Sequence, residues 1–89
     1  MYYRLIENNI YKLNDRMTKN YFYKNNIYLS DDEAILLTNI AKENWKDLYE
    51  KNYIESFNLI KNNMDKEKAD EILNLYLKTI SQYLNWYWL

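Results

Sequence analysis

Two groups of carboxylates are spaced for chemistry. Glu43, Asp47 and Glu50 recur at i, i+4 and i+7, and Glu67, Asp70 and Glu71 at i, i+3 and i+4. Each group therefore shares one face of a helix. Carboxylates on neighbouring helices can hold a hard cation or divide the roles of general acid and base. Here Lys42, Lys46, Lys51, Lys66 and Lys68 interleave with them, the pattern of a solvated, salt-bridged face. Neither an Asp-x-Asp-x-Asn-Gly loop nor a Glu-x-x-His pair occurs. Ser30, Ser56, Ser81, Thr18, Thr38 and Thr79 supply hydroxyls, but none stands in a glycine elbow.

The missing residue types bound the chemistry further. The chain contains no Gly, Pro, Cys or His. Without His or Cys, no side chain has an ordinary pKa near neutrality, soft metals lack a ligand, and no thiolate can act as nucleophile. Without Gly there is no phosphate-cradling loop. The sequence thus predicts a protein that is not an enzyme, with no catalytic residues, no metal ligands and no cofactor.

Contact surface remains. The chain carries 11 Tyr and 3 Trp, and aromatics make up 18% of it. Between residues 2 and 28, Tyr2, Tyr3, Tyr11, Tyr21, Tyr23 and Tyr28 alternate with Arg4, Lys12, Arg16, Lys19 and Lys24. Rings interleaved with cations can stack bases and track phosphates. Helical spacing sends Tyr3 and Tyr21 to the core and leaves Arg4, Tyr11, Lys12, Arg16, Phe22 and Lys24 outside. Arg4, Tyr11, Lys12, Arg16 and Lys24 are the candidate nucleic-acid contacts.

The end of the chain, Tyr83-Leu84-Asn85-Trp86-Tyr87-Trp88-Leu89, is the stronger candidate. Tyr83, Leu84 and Tyr87 continue a core stripe, and Trp86 and Trp88 flank it. With Leu75 and Leu77 the apolar arc exceeds half the helix circumference. Either this helix is central or its margins form an interface. Trp and Tyr are enriched at binding hot spots, so Tyr83, Trp86, Tyr87 and Trp88 are the candidate protein-binding residues. A homodimer through this helix is a further possibility.

Helices must position these residues. Tyr3, Ile6, Ile10, Leu13, Met17 and Tyr21 lie at spacings of three and four, which predicts one N-terminal helix. The alternative over residues 1–28 is a β-hairpin, Tyr2–Ile6 with Ile10–Asn14, followed by a strand over Tyr21–Leu29. Its period-two alternation is poor, since Leu5-Ile6 and Ile10-Tyr11 are adjacent apolar pairs. Ser30-Asp31-Asp32-Glu33 reads as a capping box, with Leu29 poised to staple onto Ala34 or Ile35. Leu37, Ile40, Ala41, Trp45 and Leu48 then form one stripe, and Tyr53, Phe57, Ile60 and Met64 a second on another side. The change of side predicts a break near Lys51–Asn52. Asp65 is the expected cap of a last helix whose inner face is Ala69, Ile72, Leu73, Tyr76 and Ile80.

These elements predict a single all-α domain over residues 1–89, an antiparallel bundle of three or four helices. Residues 1–28 carry a local +3 and residues 29–64 a local −3, while the whole chain has a net charge of −1. No run is apolar enough to cross a bilayer and no signal peptide is evident, so a cytoplasmic protein without a membrane partner is expected. Fourteen Asn, ten Lys and nine Ile against three Ala and two Arg point to an AT-rich gene. Small, chemistry-poor proteins from such genomes are often phage or mobile-element products. The expected function is therefore a non-enzymatic inhibitor or adaptor that binds a protein, such as an anti-CRISPR-like protein blocking a host defence complex. A nucleic-acid-binding regulator and a bacteriocin-immunity-type bundle are the alternatives.

Overall fold

The computed structural model describes the backbone of residues 2–88 and the side chains of residues 7–81. Helices α1 (Tyr2–Lys12), α2 (Asp15–Lys24), α3 (Asp31–Tyr49), α4 (Ile54–Asn63) and α5 (Lys66–Trp88) follow one another, and no strand occurs among the described residues. The chain is all-α, and its radius of gyration of 12.7 Å is close to the roughly 12 Å of a compact chain this long. The hairpin alternative for residues 1–28 is thereby overturned. Adjacent apolar pairs suit a helix face and would place neighbours on opposite sides of a strand.

The single N-terminal helix expected from the spacing is two helices. Asn14 is extended (φ −136°, ψ 174°), and its side chain accepts the Met17 amide at 2.9 Å. An Asn N-cap of this kind stabilises a helix start by about 1 kcal/mol over Ala. The break re-aims everything after it. Thr18 is buried and Phe22 packs against the core, whereas Met17 is 45% and Tyr21 44% exposed. Met17 and Tyr21 are thus not core residues, and Phe22 is not on the outer surface.

Asparagine also ends α2. Asn26 takes the left-handed conformation (φ 66°). The Ile27 amide donates to the Phe22 carbonyl at 2.9 Å, and the Asn26 amide to the Tyr23 carbonyl at 3.0 Å. This is a Schellman motif, with Asn where Gly is usual. The same motif closes α3 around Lys51 (φ 66°), with the Asn52 amide on Asp47 at 2.7 Å and the Lys51 amide on Leu48 at 3.2 Å. The break expected near Lys51–Asn52 is therefore present. An additional kink lies at Asn44, whose backbone is non-helical (φ −124°, ψ 20°).

The capping box at Ser30 forms as expected. The Ser30 hydroxyl accepts the Glu33 amide at 3.2 Å, and the Glu33 carboxylate accepts the Ser30 amide at 2.8 Å. Leu29 and Ala34 join the core, while Ile35 is 43% exposed. Ile27, Leu29, Ala34, Leu37, Ile40, Phe57, Ile60, Ala69 and Ile72 are the buried apolar cluster. All but Ile27 come from a stripe or staple position, and all four segments after residue 26 contribute.

Polar contacts tie the helices at defined points. The hydroxyls of Thr18 and Thr38 are buried 2.6 Å apart, joining α2 to α3. Thr18 also lies 3.1 Å from the Asn14 carbonyl and Thr38 2.7 Å from the Ala34 carbonyl. Two hydroxyl protons are therefore distributed over three contacts. Lys68 of α5 meets Glu33 of α3 at 2.8 Å. Tyr53, Phe57 and Tyr76 form a ring cluster between α4 and α5, with centroids 5.6 to 5.9 Å apart.

Candidate functional site

The outer face of α2 presents a group of aromatic and basic side chains to solvent. Arg16, Asn20 and Tyr23 stand at i, i+4 and i+7, with Lys19 and Lys24 alongside, and all five are exposed. Tyr28 joins them from outside the helix. Ile27 is 4% and Leu29 5% exposed, so alternation in this extended stretch turns Tyr28 outward. The Schellman turn at Asn26 then folds Tyr28 back against Tyr23. Their rings meet edge to face, with centroids 5.3 Å apart and planes at 69°. Tyr23 is 63% and Tyr28 64% exposed even so.

A groove runs between α2 and the start of α3, lined by Arg16, Lys19, Asn20 and Ile35. Lys19 crosses it to Asp31 at 2.6 Å. The hydrogen bond and charge of Lys19 hold the Asp31 carboxyl below its ordinary value of 3.8. The Asp31 side chain is 88% exposed, so the pair orders the groove wall more than it stabilises the fold. Asp15 and Asp31 contribute acid to the same groove, so the surface is mixed in sign rather than a positive stripe.

The candidate nucleic-acid set is divided. Tyr11, 76% exposed, and Lys12 end α1, where Tyr11 shares a small groove with Ile10, Lys42 and Trp45 of the α1–α3 seam. Arg16 and Lys24 belong to α2, beyond the break at Asn14. The Arg4 side chain lies outside the described residues. So do the side chains of Tyr83, Trp86, Tyr87 and Trp88, whose backbone continues α5 as far as Trp88.

The two acidic groups do not converge into a site. Glu43, Asp47, Glu50, Glu67, Asp70 and Glu71 are all exposed, and no three His, Cys, Asp or Glu among the described residues are placed to hold a metal ion. No helix among the described residues is long and apolar enough to cross a membrane.

Sequence reasoning named Tyr23 and Tyr28 in the basic–aromatic segment but kept neither among the candidate contacts. A continuous N-terminal stripe with Tyr21 inside gave no reason to single them out. The Ile27-Tyr28-Leu29 alternation after an Asn-Asn pair was the available signal. Comparison of the chain with protein-family models, with curated proteins and with solved structures gives no match.

Proposed function

We propose that this protein is a non-enzymatic binding module for another protein, acting in the cytoplasm as an inhibitor or adaptor. The observation that carries the reading is the exposed Tyr23–Tyr28 pair. Two rings that pack on each other are held at low entropic cost, yet keep most of their surface for a partner. Arg16, on the same helix as Tyr23 and lining the groove between α2 and α3, adds a third residue of a type enriched at interface hot spots. The mixed charge of the groove favours a protein over a phosphate backbone, which needs a uniform positive track. The choice of an inhibitor or adaptor, of the kind carried by phages and mobile elements, rests on small size, AT-rich residue usage and poverty of reactive groups.

Site-specific photocrosslinking tests the reading. A benzophenone amino acid at Tyr28 should give a discrete protein adduct in extract from the native host, and the adduct should survive nuclease. The same label at Lys61, exposed on α4, should not give it. Absence of an adduct at Tyr28, or one that nuclease removes, contradicts the proposal. The second outcome would favour nucleic-acid contact by Arg16 and Lys24.

A further inference from the structure

Helix α5 packs along α4 and, among the described residues, meets α2 through a hydroxyl pair. Tyr21 Oη and Thr79 Oγ1 lie 3.2 Å apart across the gap. Beneath this bridge is a cleft of about 280 Å³ between α2, α3, α4 and α5. Phe22, Leu37, Ile40, Phe57, Ile72 and Leu75 supply its apolar walls, and no charged side chain lines it among the described residues. A dry apolar cavity of roughly 150 Å³ already takes up benzene.

We infer that the cleft is a binding site for a neutral, largely apolar small molecule of about two aromatic rings bearing one polar atom. Size sets the ring count, because the cleft has nearly twice the volume that admits one ring. The lining sets the charge. A carboxylate or sulfonate would be desolvated there with no cation to pair with among the described lining residues. The rim sets the polar atom. Thr18 already contacts Thr38 and the Asn14 carbonyl, and Tyr76 donates to the Leu48 carbonyl. Tyr21 and Thr79 share one hydrogen bond between two hydroxyls, which leaves one proton and free lone pairs for a ligand. This pocket is separate from the Tyr23–Tyr28 surface and does not depend on it.

A matched pair of fluorescent probes tests the site on the full chain. N-phenyl-1-naphthylamine has the stated size, no charge and one N–H. Its sulfonated relative, 8-anilinonaphthalene-1-sulfonate, has the same rings with a fixed negative charge. The neutral probe should bind saturably at one site, raise the melting temperature, and bind at least tenfold more tightly than the sulfonate. Ala41 lines the cleft, so Ala41→Phe should fill it and weaken the neutral probe at least tenfold while keeping the helical circular-dichroism signal. Methyl NMR of the unaltered chain serves as an independent readout should that variant not fold. Probe-to-protein contacts should appear at Leu37, Ile40 and Leu75 rather than at exposed Ile54 and Leu59. Undetectable binding, equal affinity for the sulfonate, undiminished binding to folded Ala41→Phe, or contacts confined to Ile54 and Leu59 would each overturn the inference.

Discussion

The phenol of Tyr76 in α5 donates a hydrogen bond to the backbone carbonyl of Leu48 in the last turn of α3. That carbonyl also accepts the Lys51 amide of the turn that ends α3. One side chain from the last helix thus fastens the point where the chain reverses towards α4. Tyr76 also packs against Tyr53 and Phe57, so the bond sits within a ring cluster partly shielded from water.

Tyr76→Phe keeps the ring and removes the bond. The Leu48 carbonyl retains its turn partner, so the expected cost is about 1 kcal/mol, a fall in melting temperature of roughly 4–8 °C. Burial, and then the neighbouring Tyr53, raises the Tyr76 phenol above its ordinary value of 10.0. The folded state therefore keeps this proton where the unfolded state has lost it. Its contribution is complete below pH 10 and disappears as pH rises through the higher folded value. Denaturant melts between pH 9 and 11.5 should show the unaltered chain losing more stability than the Phe variant.

How legible these features were depended on whether a local signal outweighed its surroundings. Ser30 and Glu33 declare a helix start within four residues, and the capping box formed as read. The break at Lys51 was visible because the apolar stripe changes side there. Asn14 was not, because it is one of fourteen Asn and the stripe runs unbroken across it. That miss placed Met17 and Tyr21 in the core and Phe22 outside, since a change of helix direction cannot be seen in spacing alone. The cleft between α2 and α5 depends on how whole helices splay, which no sequence window contains.

Lys51 offers a gain in stability. A side chain in the left-handed conformation costs roughly 1–2 kcal/mol, which glycine avoids while losing about 0.5–1 kcal/mol to its freer unfolded state. Lys51→Gly should therefore stabilise the protein by about 0.5–1 kcal/mol, a melting temperature higher by roughly 3–6 °C. Asn26→Gly should gain less, because Asn tolerates this conformation better than Lys. Differential scanning calorimetry of the two variants checks both the sign and the order.

Acid should loosen the junction of α3 with α5. Burial pushes the Glu33 carboxyl up, but hydrogen bonds from Lys68 and from Ser30, with the Lys68 charge, outweigh it and leave the group below its ordinary 4.5. A carboxyl with a depressed folded pKa stabilises fully above the unfolded value and loses that contribution as pH falls through the folded one. Glu33→Gln can keep the capping geometry and lacks the titrating charge. Its stability should change less than that of the unaltered chain between pH 5 and 3, measured by denaturant unfolding at each pH.

Tyr23 and Tyr28 carry the functional proposal, and their removal should spare the fold. Both are more than half exposed and neither belongs to the buried cluster, so Tyr23→Ala with Tyr28→Ala should leave the melting temperature within a few degrees. The most direct measurement is the affinity of this double variant for the protein captured at Tyr28, by calorimetric titration beside the unaltered chain. A hot-spot pair should cost at least ~2 kcal/mol, or about thirtyfold in Kd. A folded double variant that binds that protein with unchanged affinity would contradict the account.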